Sequence, residues 1–167
     1  IGMWLPDGSL KIFDRKKAIF KLAQGEYIRA EHIEGVYKQT KELANIFVHG
    51  DSKETYLVAI VIPEPTHLQT FCAAQGIKGP PSEQVKDPRV QKWLHDLMEA
   101  TGKKQQLRGF EFVKRIHLTT EEFSVENGLM TPTFKLKRNI AAKYFSEPIA
   151  KMYAQGEAVA AKIKAKL

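Results

Sequence analysis

Two short stretches of this 167-residue chain concentrate side chains able to act on an anion. The first, DRKKAIFKLAQGEYI (Asp14 to Ile28), sets Arg15, Lys16, Lys17 and Lys21 ahead of Gly25. A glycine there lets the backbone approach a ligand closely or adopt positive φ. The second, ENGLMTPTFKLKR (Glu126 to Arg138), holds an Asn127-Gly128 turn, a loop stiffened by Pro132, and then Lys135, Lys137 and Arg138 where a helix begins. Cations are unfavourable at that end of a helix macrodipole, so their presence makes sense if an anion sits among them. The competing explanation is ordinary: lysines at strand ends and helix starts are usually solvated surface.

Other chemistries have less support. The five histidines (His32, His49, His67, His95, His117) fall in different elements, and Cys72 has no second cysteine at ligand spacing. No metal centre, Cys/His pair or Ser/His/Asp arrangement is therefore expected. Cys72 reads as a packing residue, and the absence of any possible internal disulfide suits an intracellular chain. The 26 Lys plus Arg against 19 Asp plus Glu give a net charge of +7, which favours a polyphosphate, an acidic lipid or nucleic acid as partner. No apolar run approaches the roughly 18 residues that cross a bilayer, and no signal-peptide zones open the chain, so a soluble protein is expected.

The elements that must position the two basic stretches follow from periodicity. Trp4 to Phe13 has Pro-Asp-Gly between two apolar-alternating runs, the pattern of a small hairpin with too few apolar residues to bury a face alone. Residues 1–13 are accordingly expected at the edge of another domain, with 14–17 as linker. Ile33, Val36 and Tyr37 mark an amphipathic helix, and Leu43 to Val48 reads as a strand. Tyr56 to Ile62 is continuously apolar and rich in β-branched residues, which suits a central strand covered on both faces. A short helix follows with Leu68, Phe71 and Cys72 inward, then a helix from Pro88 with a stripe of Val90, Trp93, Leu94, Leu97 and Met98. Phe110, Phe112, Ile116 and Leu118 alternate as a third strand, and a last helix starts near Lys137 with a break or bend at Pro148. The expected fold is α+β: a small mixed sheet of about three strands flanked by helices, preceded by a short hairpin. It runs as one domain from 18 to 155 and is followed by a basic tail, 156–167.

DRKKAIFKLAQGEYI followed by EHIE, LRGFE (Leu107 to Glu111) and NGLMTPTFKLKR together resemble the corresponding stretches of long-chain fatty acyl-CoA synthetases, within the adenylate-forming superfamily. The resemblance runs from the first residues to about Tyr153. It implies that Lys135 is the catalytic lysine bridging the substrate carboxylate and the nucleotide α-phosphate during adenylation, with Lys137 and Arg138 as supporting charge. It implies further that Lys17 is the hinge, that Arg15 contacts the nucleotide ribose, and that Lys21 and Gly25 lie on a loop facing the active site during thioester formation. Ala30 stands where that family usually has a proline; Glu31 and Glu34 read as favourable charge near a helix N-terminus.

The reaction implied is carboxylate plus ATP giving acyl-AMP and pyrophosphate, followed by attack of the CoA thiol and release of AMP. ATP, CoA and a fatty acid are the implied substrates, and Mg2+ is implied for the whole enzyme without ligands from these residues. Nothing in the chain resembles the family's phosphate loop, so the implied partner is a missing N-terminal domain, and the chain alone is expected to be inactive. The whole enzyme is expected in the cytoplasm or on a membrane, or in a peroxisome-like organelle if Ala165-Lys166-Leu167 serves as a terminal address. Two rivals remain: a nucleic-acid or other polyanion-binding module, disfavoured because no stacking platform or helix-turn-helix is legible, and the lid of a different acid-activating ligase.

Overall fold

The computed structural model describes residues 2–12 and 19–164. Its core is a mixed sheet of order β5-β6-β7, with β5 Leu43–His49, β6 Leu57–Pro63 and β7 Val113–Leu118. β6 is antiparallel to β5 and parallel to β7. A parallel pair needs a crossover. Here it is built from α2 Pro65–Ala74, α3 Pro81–Gln84 and α4 Pro88–Lys104, each of which opens on a proline at its first turn.

Every residue of β6 is buried, because both faces of the sheet are covered. Leu57, Ala59 and Val61 pack with Ile33 and Tyr37 of α1 (Ala30–Tyr37), with Leu68 and Cys72 of α2, and with Val90, Leu94 and Met98 of α4. On the opposite face Val58, Ile60 and Ile62 meet Phe123, Leu129, Ala141, Phe145, Ile149 and Met152. These last residues come from the 119–137 segment, from α5 Arg138–Tyr144 and from α6 Ser146–Lys164. The continuous apolar run of β6 is thus the middle layer of a three-layer sandwich.

Two antiparallel hairpins precede the sandwich. β1 Gly2–Trp4 pairs with β2 Leu10–Ile12 around a turn in which the Asp7 carboxylate accepts from the Ser9 N–H at 2.9 Å. Trp4 is 71% exposed there, in keeping with a hairpin that buries no face of its own. β3 Ile19–Lys21 pairs with β4 Tyr27–Arg29.

Several expectations need correction. The stretch read as a loop around Lys21 and Gly25 is this second hairpin. The third strand starts at Val113, not Phe110, because Gly109–Glu111 forms a 3-10 turn in which the Glu111 carboxylate accepts from the Arg108 N–H at 2.8 Å. The last helical region breaks at Phe145 rather than at Pro148. Pro148 lies in the first turn of α6, where a missing N–H removes no helical bond. From there α6 continues to Lys164.

Candidate active site

Lys135 sits near the tip of a small loop whose two sides are tied together. Met130 and Leu136 form an isolated antiparallel bridge. Inside it, the Thr131 N–H donates to the Lys135 carbonyl at 2.8 Å, the Phe134 N–H to the Thr131 carbonyl at 2.8 Å, and the Lys135 N–H to the Thr131 hydroxyl at 3.1 Å. The base of the loop is fixed from below. Leu129 is fully buried, and its carbonyl accepts from the Lys137 N–H at 2.8 Å. The Asn127 side chain accepts from the N–H groups of Ser124 and Leu129 and donates to the Glu122 carbonyl at 2.8 Å. The Asn127-Gly128 turn foreseen in the sequence is therefore a side-chain-locked platform.

The tip, by contrast, is open. Pro132, Thr133, Phe134 and Lys135 are exposed, and the Lys135 ammonium has no hydrogen-bond or ion-pair partner among the described residues. A cation presented on a stiff loop and left unpaired by the described residues is available to a carboxylate or phosphate oxygen from elsewhere.

Arg138 turns out otherwise. Its guanidinium donates to both oxygens of Glu34 at 2.9 and 3.0 Å, donates again to the Val48 carbonyl, and lies 5.2 Å from the centre of the Phe47 ring. Glu34 also accepts from the Val48 N–H at 2.8 Å. Burial pushes the Glu34 carboxyl above the usual carboxylate range, while Arg138 and the Val48 N–H pull it back. Glu34 is therefore not helix-terminal surface charge, and the anion that accounts for Arg138 at a helix start is internal. This clamp joins α1, β5 and the loop's exit across 104 positions of sequence, a separation at which no local pattern announces a pair. Beside it lies a groove of about 320 Å³ lined by Glu31, Lys38, Asn45, Phe134 and Lys135 among others.

Lys21 and Gly25 share one edge of the molecule on the β3–β4 hairpin. Gly25 has φ of +96° and donates its N–H to the Leu22 carbonyl at 2.9 Å, so a side chain there would strain the turn. Leu22 and Ile28 are buried and pin the hairpin to the core. The Ala23 N–H reaches the Glu54 carbonyl at 2.9 Å. Lys21 faces Tyr27 across the strands with its ammonium 5.6 Å from the ring centre, and that ring is 67% exposed. No hydrogen bond joins Lys135 to this hairpin among the described residues, so the two candidate groups stand on separate elements. Arg15 and Lys17, expected at the ribose and at the hinge, lie outside the described residues, as does the terminal Ala165-Lys166-Leu167.

Two histidines affect how this architecture responds to acid. Burial holds the His49 imidazole below its ordinary value, with Arg138 adding to the effect and Asp51 opposing it. His117 is held down by burial and then by Lys151. An unfolded histidine takes its proton near pH 6.5, so between that value and the depressed folded values the unfolded state binds more protons and acidification favours unfolding. Glu34, raised by burial, runs the other way. Stability contributed by the histidines should be complete above pH 6.5 and lost as pH falls below it. His117→Gln should lose less melting temperature than the unmutated chain between pH 7.5 and pH 5.5; equal losses would mean the imidazole does not carry the effect.

The folded sandwich and its appended hairpin define a class. The adenylation domain of a carboxylate reductase from Mycobacterium chelonae superimposes with a TM-score of 0.75 at 28% identity, over 88% of this chain and 21% of that one. Sequence relatives include long-chain acyl-CoA synthetases. The chain is 53% identical to the peroxisomal long chain acyl-CoA synthetase 7 of Arabidopsis thaliana over 93% of its own length. It is 47% identical to long-chain-fatty-acid–CoA ligase 5 of Rattus norvegicus over 92% of its length. The resemblance carried by the two basic motifs is borne out. The chain spans about a fifth of the curated relatives it matches, 22% of each of these two. No family model matches it.

Among the described residues no group of three His, Cys, Asp or Glu side chains could hold a metal ion, and no helix is long and apolar enough to cross a membrane.

Proposed function

We propose that this chain is the C-terminal lid domain of an ATP-dependent, AMP-forming long-chain fatty acid–CoA ligase, and that Lys135 supplies the cation for its first half-reaction. The observation that carries this reading is the unpaired Lys135 ammonium on a rigid, exposed loop, in a chain about half identical to long-chain acyl-CoA synthetases. In the adenylating orientation a carboxylate oxygen of the fatty acid attacks the α-phosphorus of ATP, the bond to the bridging oxygen breaks, and pyrophosphate leaves. Negative charge shifts among oxygens of the reacting groups, and Lys135 is a fixed positive charge aimed at them.

The lid then turns about Lys17, withdrawing Lys135 and bringing the Lys21–Gly25 hairpin to the reaction centre. The CoA sulfur attacks the acyl carbonyl, its proton is released, and AMP departs with the electron pair of the broken acyl–phosphate bond. The sharp turn at Gly25 leaves room for a narrow pantetheine arm, and the Lys21 ammonium above the Tyr27 ring presents a cation and an aromatic face together. Arg15 is assigned to the ribose. Any Mg2+ would be held by the nucleotide and the rest of the enzyme. Of the intracellular locations open to the whole enzyme, the peroxisome is one that a relative's name supports.

The test has two arms. The purified chain, given ATP and palmitate, should release no pyrophosphate, because the nucleotide pocket lies elsewhere. In the whole enzyme, Lys17→Pro fixes φ near −65° and should slow acyl-CoA formation from supplied acyl-AMP while sparing pyrophosphate exchange. Pyrophosphate release by the chain alone, or an unchanged thioester rate in the proline variant, would refute the lid reading or the hinge respectively.

A further inference from the structure

We infer that Phe134 is an apolar anchor that seats the lysine-bearing loop on the larger part of the enzyme in the adenylating orientation; this deepens the lid reading above and rests on it. Among the described residues only Gln106 and Phe134 are non-glycine residues at positive φ, at +57° and +55°. Gln106 has a local reason: it follows the end of α4, where the Leu107 N–H returns to the Gly102 carbonyl at 3.0 Å, an ordinary left-handed helix stop. Phe134 ends no helix. A bulky aromatic residue in the left-handed region is an outlier, and such strain persists only where surrounding bonds impose it. Thr131 imposes it here, bonding to the Phe134 N–H and to both the N–H and carbonyl of Lys135.

The ring that this conformation presents is 76% exposed, more than any other large apolar residue described. Glycine would remove the backbone strain and the exposed apolar surface together, so neither feature serves the fold of this domain. Both meet one residue before Lys135, on the same stiff tip, so ring and ammonium must arrive together wherever the loop goes. The chain spans 22% of its long relatives, which leaves the surface that receives Lys135 on the remainder of the enzyme. An anchor whose direction is set in advance by backbone bonds suits a fixed hollow in protein. The acyl chain, which enters and leaves at every turnover, is the less fitting occupant. The counter-surface is therefore an apolar depression at the rim of the polar adenylation pocket, filled by the Phe134 ring as the lid closes and emptied when the lid turns.

The experiment uses the whole enzyme carrying Phe134→Ala, Phe134→Gly or Phe134→Tyr, with Lys135→Ala alongside. Each variant is read by pyrophosphate exchange with palmitate and with octanoate, and by acyl-CoA formation from supplied acyl-AMP. Phe134→Ala and Phe134→Gly should lower exchange on the order of 10- to 100-fold, the range of a buried aromatic anchor. The loss should be equal for the two acids, with thioester formation within about twofold of normal and Phe134→Tyr largely active. Melting temperature should hold or rise, since the residue is 76% exposed and contributes little burial to this domain. Unchanged exchange in the alanine and glycine variants, while Lys135→Ala abolishes it, overturns the anchor. A loss confined to palmitate overturns it too, since the ring would then be touching the acyl chain. If Lys135→Ala itself leaves exchange untouched, the lid reading falls and the anchor with it.

Discussion

Lys135→Ala in the whole enzyme should lower pyrophosphate exchange by roughly a hundred- to a thousand-fold and leave acyl-CoA formation from supplied acyl-AMP nearly unchanged. The magnitude is that of one preorganised charge removed from a water-poor site, about 3 to 4 kcal/mol of transition-state stabilisation. The asymmetry between half-reactions follows from the chemistry: once the carbonyl is activated as acyl-AMP, what is needed is delivery of the CoA thiol, not this cation. The structure makes the experiment clean. Lys135 is exposed, its side chain has no partner among the described residues, and the loop is held by backbone bonds and Thr131. The alanine variant should therefore unfold within about 0.5 kcal/mol of the unmutated chain. Acylation of the lysine, which removes its charge, should give the same split. If both half-reactions fall by similar factors, Lys135 is holding the fold or the CoA; if neither falls, it is an ordinary surface charge.

How much of this was legible in sequence depended on whether the signal was local. The β6 run announced a strand covered on both faces because seven apolar residues in succession leave no face for water, and both cores of the sandwich meet on it. Val90, Leu94 and Met98 of the α4 stripe and the inward Leu68 and Cys72 were legible through the same helical period that buries them, with Trp93 and Leu97 partly buried at its margin. The β3–β4 hairpin was not: its strands have three residues each, and four basic residues near its start outweighed the apolar alternation of Phe20, Leu22 and Ile28. Phe110 and Phe112 alternated like strand residues, but Glu111 closed a 3-10 turn on the Arg108 N–H and delayed the strand to Val113. Lys135 was singled out by resemblance of its motif. Its freedom from partners, and the strained exposed ring before it, are properties of the folded loop that no composition or period encodes. Glu34 and Arg138 were both misread, and for one reason: each was judged against its own helix end, while its true partner was the other.

Arg138→Ala should destabilise the chain by about 2 to 3 kcal/mol, below the full cost of stripping one partner from a fully buried ion pair because both side chains keep some contact with water. Glu34 would keep the Val48 N–H bond and the weaker pull of Lys38 but lose its bidentate partner, and the Val48 carbonyl would lose the Arg138 donor. Much of that loss is the penalty of an orphaned charge, so it should be recoverable without rebuilding the pair. Glu34→Gln keeps an oxygen for the Val48 N–H and removes the charge; combined with Arg138→Met, which restores apolar bulk over Phe47, it should regain a large part of the stability in denaturant unfolding. Adenylation should not recover with it. Arg138 stands three residues after Lys135 and ties the loop's exit to α1 and β5, so the double variant folds around a loop that has lost this tether. Pyrophosphate exchange in the whole enzyme should therefore stay depressed by about tenfold or more, because small misplacements of a catalytic group are costly. That divergence is what a purely structural clamp cannot produce. If the double variant regains stability and exchange together, Glu34 and Arg138 hold the domain and nothing more; if exchange lags behind restored stability, the clamp is what aims Lys135.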